Sequence, residues 1–187
     1  MNPFEYLSVL VSIIIGLAMS HLLSGTARLI QARKRVKWYG PTLIWLALLF
    51  LAQVQIWWAA FDARQEIDWN FFGFLSFLLI PACAYLLCYL LVPDFEPGDD
   101  VDLERSFHDN QRWFFGLFAT IVAISMSRDL VEDGRESLDE DMAFRVVFFA
   151  GSIVAAFVRS PRFHLGNAIL SLTLFCGYIA QLFARLP

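Results

Sequence analysis

Seven polar side chains stand inside otherwise apolar stretches of this chain: His21, Gln53, Tyr85, Asn167, Ser171, Tyr178 and Gln181. Each can donate or accept a hydrogen bond, and an imidazole also takes up a proton near neutral pH. Gathered at matching depths on neighbouring helices, they would form a polar column able to pass an ion, a proton or a small solute. The plainer reading is hydrogen bonding between helices that fixes their register, worth about 0.6 and at most ~1.7 kcal/mol per pair in a membrane. Asn167, Ser171, Tyr178 and Gln181 recur at spacings that put them on one stripe of a helix. Gln55 lies two residues from Gln53, on the other side of its helix, and is set apart from the column.

A second pattern runs along the first apolar stretch. Ser8, Ser12, Gly16, Ser20 and Ser24 are each four residues apart. Small residues let helix backbones approach closely in a membrane, where no hydrophobic effect drives helices together. The ladder predicts either packing within one bundle or a face for self-association, with a water-lined surface as a third alternative. Its serines can also back-bond to carbonyls of their own helix.

Two arginines sit near the ends of apolar runs. Arg128 can reach outward and pair with Glu132, and Arg145 follows Asp141 by four residues. Both read as anchors at the outer interface, or as a gate or anion contact at an outer mouth. Metal and haem chemistry is disfavoured. His21 is deep, whereas His108 and His164 are expected at or beyond the interface, so the depth of His21 does not match theirs. No cofactor is predicted. Cys83, Cys88 and Cys176 match no zinc or redox spacing and read as reduced small hydrophobes. The acidic residues from Asp94 to Glu104 lack the glycine and terminal glutamate of a calcium loop and read as a solvated loop. No phosphate loop, HExxH motif or nucleophile elbow occurs, which leaves a non-enzyme as the favoured class.

Composition explains what must position these residues. The chain has 187 residues, 58% hydrophobic and 17% charged, with a mean hydropathy of +0.58 and a net charge of −4. Soluble domains average about 45–50% apolar and about 25% charged residues. So much apolar surface needs a bilayer as solvent, and the acidic balance gives no footprint for nucleic acid. A helix crosses the hydrocarbon in about 20 residues. Segments 4–30, 38–61, 69–92, 111–130, 142–158 and 164–186 qualify, giving a single all-α polytopic membrane domain over residues 1–187 with about six spans. The fifth segment is short and carries Arg145, so five spans plus a buried or re-entrant helix is the alternative. The first segment lacks a basic leader and a cleavage site, and reads as a retained anchor.

Arg28, Arg33, Lys34, Arg35 and Lys37 form the densest basic cluster, which faces the cytoplasm by the positive-inside rule. Alternation then puts both termini outside and the acidic loop 93–110 inside. Trp38, Tyr39, Trp57, Trp58, Trp69, Tyr89 and Trp113 fall near segment ends, where amphipathic rings settle at headgroups. Pro41 opens the second segment, Pro93 closes the third, and Ser137–Glu140 reads as a capping box for the fifth. Leu103, Phe107 and Phe114 share one helical face, expected as an interfacial helix leading into the fourth span. The expectation is a multi-pass protein of a bacterial inner membrane or an equivalent bilayer, self-associating through its first helix. It would act as a small channel or transporter, or as a non-catalytic subunit that docks a membrane protein partner.

Overall fold

The computed structural model describes the backbone of residues 3–60, 71–133 and 140–182. Trp69, Gly134, the Ser137–Glu140 cap, and the side chains of Arg128, Glu132 and Gln181 lie outside the described residues.

Long apolar runs with few internal breakers become helices: α1 Pro3–Gln31, α2 Gly40–Ala60, α3 Phe71–Leu91, α4 Leu103–Asp133, α5 Glu140–Phe157 and α6 Pro161–Leu182. Pro41 and Pro161 occupy first turns, where a missing N–H costs nothing. Asp102 caps α4, its Oδ1 accepting a hydrogen bond from the Arg105 N–H at 3.0 Å. Among the described residues, four helical stretches are long and apolar enough to cross a membrane: Ser8–Gln31, Gly40–Ala60, Gly73–Leu91 and Pro161–Ala180. Met142–Phe157 of α5 is a shorter apolar helix.

The helices close into a ring. α1 packs on α2 and α3, α3 on α4, α4 on α5, α5 on α6, and α6 returns to α2, which also touches α3. The α1–α2, α3–α4 and α5–α6 connections share one end, called here the near end. At its centre Trp45 of α2 meets Phe114, Phe115 and Phe118 of α4 edge-on, at centroid distances of 5.2, 5.5 and 5.5 Å. Edge-to-face geometry sets the positive rim of one ring against the negative face of another. Outward lie Val9, Ile13, Leu17, Ile153, Ile169 and Leu170, all largely exposed. A continuous apolar exterior of this kind suits hydrocarbon rather than water. Trp38, Tyr89 and Trp113 are exposed toward the near end and Trp57 toward the opposite, far end, as expected of aromatic belts.

Two expectations need correction. The Leu103–Phe107–Phe114 face exists, but it does not lie along an interface: α4 is one continuous helix, and all three side chains are buried in the protein core. The ladder of small residues does not pack inside the bundle. Ser12, Gly16, Ser20 and Ser24 are exposed, while α1 buries Val11, Ile15, Ala18, Leu22, Gly25 and Leu29. The small residue that packing requires is Gly25, where an added Cβ would collide with Val92. Ser24 does back-bond, its Oγ donating to the His21 carbonyl at 3.2 Å.

The acidic and basic loops meet at the near end. Val36–Lys37 (β1) and Val101–Asp102 (β2) form a two-stranded parallel pair, with Val36 opposite Val101. Lys37 Nζ lies 3.1 Å from Asp102 and 2.9 Å from Glu104, and Arg28 lies 3.2 Å from Asp94. Hydrogen bonds from the Arg105 backbone N–H and from Lys37 hold the Asp102 carboxyl below its usual range. Hydrogen bonds to Glu104 and Asp102 push the Lys37 ammonium up. A lowered carboxylate contributes stability that is present at neutral pH and lost as acid protonates it. A raised lysine contributes stability lost only as pH climbs through its folded value. The strap is therefore expected to hold across neutral pH and loosen at both extremes. Lys37→Glu should lower hydrogen-exchange protection of the Val101 amide, which donates to the Arg35 carbonyl at 2.9 Å. It should shift global melting little, because these pairs are exposed. Unchanged protection would show that the strap does not order these loops.

Candidate functional site

Among the described side chains, the polar residues picked out by sequence lie in different seams between helices. His21 lies in the seam between α1 and α3, its ring stacked on Tyr89 with centroids 4.8 Å apart. Gln53 is fully buried and turns to α3, its Nε2 donating to Cys88 Sγ at 3.5 Å. Tyr85 is half-buried against the main core. Asn167 faces α5, its Oδ1 lying 3.7 Å from where a Cβ on Gly151 would stand. Ser171 is buried, and Tyr178 packs edge-on against Phe144 of α5 at 5.7 Å. The α6 stripe thus meets protein, as a polar stripe in lipid must. It does so on the α5 side, whereas His21 belongs to α1 and α3.

Two other constellations of polar groups are defined by the geometry. The first lies at the near end and concerns the C-terminus of α5, whose last carbonyls have no helical partners. Gln111 of α4 donates both Nε2 hydrogens to them, 2.8 Å to Ala155 O and 2.7 Å to Val158 O. His164 of α6 adds a third bond, from Nε2 to Val158 O at 2.7 Å. Because a carbonyl only accepts, His164 carries its hydrogen on Nε2. Because the Gln111 amide nitrogen is fully used as donor, its Oε1 accepts from His108 Nδ1 at 2.9 Å. The His108 and His164 rings stand 5.4 Å apart, edge to face. His164 is 0% and Gln111 2% exposed, so the imidazole expected at or beyond the interface is enclosed by protein at that end. Sequence reading passed over Gln111 because it fell at the margin of a span. Its signal was a lone amide one helical turn beyond His108. Among the described residues, no three His, Cys, Asp or Glu side chains gather as a metal-ligand set.

The second constellation is a cavity of about 510 Å³, lined from all six helices. That volume is within the usual range of small-molecule sites, about 300–1,000 Å³. On α2 its wall is Leu49, Ala52, Gln55, Ile56, Ala59 and Ala60, a face of small residues around one amide. Pro81 on α3 sits in the opposite wall, where it cannot donate the ladder bond to the Phe77 carbonyl. Apart from Gln55, Ser125, Arg145 and Tyr178, the lining is apolar. Ser125, Arg145 and Tyr178 come toward the far-end limit of the lining on α4, α5 and α6. Arg145 also bridges two helices, its Nη1 donating to the Ser125 carbonyl at 3.2 Å. The amide that reaches this cavity is Gln55, the one set aside in the sequence, while Gln53 turns away to Cys88.

The near-end clamp has a stability consequence. Gln111→Leu removes two donors from buried carbonyls and is expected to cost about 2 kcal/mol. His164→Phe keeps the ring that stacks on Phe115 but loses the Nε2–H, and is expected to cost about 1 kcal/mol. Reversible unfolding in detergent measures both, and a neutral Gln111→Leu would remove the clamp from the account. Comparison of the chain with family models, with curated proteins and with solved structures gives no match.

Proposed function

We propose that this is a six-span membrane protein, with both termini outside, that binds an apolar-bodied small molecule in the cavity of its far half. α4 and α5 join the four long apolar helices as spans in this reading. The pairing of the basic and acidic loops at one end supports alternation, since both must then lie on the same, cytoplasmic side. The cavity carries the functional reading: it is of ligand size, apolar along its length and polar at one limit. Such a site suits a transporter or channel for a small solute, entered from the outer half. Gln55, Arg145 and Tyr178 are the residues placed to contact the solute. Filling the cavity tests this. Ala59→Trp is expected to weaken binding of an apolar solvatochromic dye at least about tenfold, with helical content and melting retained. Undiminished dye binding would show that the cavity is not the site.

A second reading rests on the exposed ladder. Ser12, Gly16, Ser20 and Ser24 lie on the exposed face of α1 between the large side chains of Val9, Ile13, Leu17 and Leu23, and an added Cβ at Gly16 would meet nothing within 4 Å. This supports self-association or the docking of a membrane protein partner. Gly16→Leu with Ser20→Leu is expected to lower the oligomer fraction seen by crosslinking in lipid while leaving dye binding intact. An unchanged oligomer distribution would exclude the ladder as the interface.

A further inference from the structure

Resting on the membrane-spanning reading above but not on the cavity, we infer that one near-end corner is a binding site for the phosphate headgroup of an anionic phospholipid. The corner is formed by α4, the end of α5 and the start of α6, and three guanidiniums meet there. Arg112 of α4 stands over the Phe157 ring at the end of α5, its Cζ 6.0 Å from the ring centre. Arg159 follows in the α5–α6 connection, and Arg162 lies in the first turn of α6. The clamp holds them close. Gln111, next to Arg112, donates to Val158 O at 2.7 Å, and His164 donates to the same oxygen at 2.7 Å. All three arginines are exposed, and among the described residues none has a carboxylate at ion-pair distance. Asp109, one turn before Arg112, is taken by Arg105 at 3.8 Å. No Asp or Glu occurs anywhere from Met142 to Pro187. The α1–α2 side of the near end differs, because the strap lays the acidic loop beside its basic residues.

A second observation picks out the same corner. Trp113 is 75% and Phe157 71% exposed, the two most exposed large apolar side chains among the described residues. Trp113 follows Arg112, and Phe157 is the ring beneath its guanidinium. Aromatic rings settle at the membrane–water boundary, and arginines beside them reach up to the headgroups. The planar guanidinium fork matches the paired oxygens of a phosphate. Basic clusters at the cytoplasmic ends of membrane helices hold anionic headgroups by this chemistry. Three cations without carboxylates also discriminate by net charge. Phosphatidylcholine brings a quaternary ammonium toward the corner along with its phosphate. Phosphatidylglycerol brings the phosphate charge alone, so preference between these two lipids is the signature of the site.

Native mass spectrometry of the full chain in detergent tests this, with phosphatidylglycerol and phosphatidylcholine of identical acyl chains added in equal amounts. The wild type is expected to retain phosphatidylglycerol at least about tenfold over phosphatidylcholine. Arg112→Gln, Arg159→Gln and Arg162→Gln combined should bring the two lipids level. Arg33→Gln, Lys34→Gln and Arg35→Gln combined remove the same charge from the same end and should leave the preference intact. Helical content and melting should change little in either variant, because these side chains are exposed. Should the corner triple variant not fold, Arg159→Gln with Arg162→Gln carries the test, with a loss of preference of at least about fivefold. Equal retention of both lipids by the wild type would overturn the inference. Equal loss in the two triple variants would overturn it too, by assigning the preference to the general charge of the near end. A chain that is monodisperse without detergent would instead overturn the membrane reading on which the inference rests.

Discussion

An unpaired hydrogen-bonding group is costly in an apolar surrounding, and this constraint shapes the C-terminus of α5, even though Tyr39 Oη, Thr42 Oγ1, Trp45 Nε1 and His164 Nδ1 are buried nearby without a hydrogen-bond partner among the described residues. A buried donor or acceptor without a partner costs about 1–3 kcal/mol. The C-terminus of α5 would present several such acceptors. Instead the Gln111 amide of α4 and the His164 imidazole of α6 reach across and take the Ala155 and Val158 carbonyls. One short connection, residues 158–160, thereby ties three helices together. The Trp45, Phe107, Phe114 and Phe115 rings pack directly beside it. Val158 O accepts from both Gln111 and His164, which leaves little freedom in where α5 ends.

The two ends of the molecule differ in consequence. At the near end, side-chain clamps, an ion-paired strap and dense aromatic packing hold the helices close. At the far end, α2 offers Ala52, Ala59 and Ala60, and Pro81 interrupts the α3 ladder, so the walls are small and a cavity opens between them. Bulk at one end and small residues at the other give a bundle anchored on one side and hollow on the other. The polar groups of the hollow half, Gln55, Ser125, Arg145 and Tyr178, come from four different helices, α2, α4, α5 and α6. An occupant touching them would therefore bear on how those helices sit.

The helices themselves were legible because their signal is local. The run 38–61 and the helix Gly40–Ala60 agree, as do 142–158 and Glu140–Phe157, with Pro41 marking the start of α2. Helix neighbours were not legible, because the sequence does not state the order around the ring. His21 and Asn167 can be ranked by depth, yet only the structure puts α1 against α2 and α3 and α6 against α2 and α5. The same gap explains the ladder on α1. Spacing found a face of small side chains but could not say whether another helix of the bundle covers it. Gln53 and Gln55 are the sharpest instance. Their opposite orientations were readable, but which of them meets a cavity depends on the helices that stand on each side. The acidic loop 93–110 was read as solvated, and much of it is. Its contacts with Lys37 and Arg28 depend on the ring bringing the α1–α2 and α3–α4 connections together.

The central claim is that apolar helices surround a cavity of ligand size in the far half of the bundle, with Ser125, Arg145 and Tyr178 at its polar limit. A density map of the protein in a lipid nanodisc tests it most directly. The account predicts acyl density along the exposed faces of α1, α5 and α6. It also predicts non-protein density in the cavity between α2 and α5. A cavity closed by its own side chains, with the interior filled by protein, would contradict it.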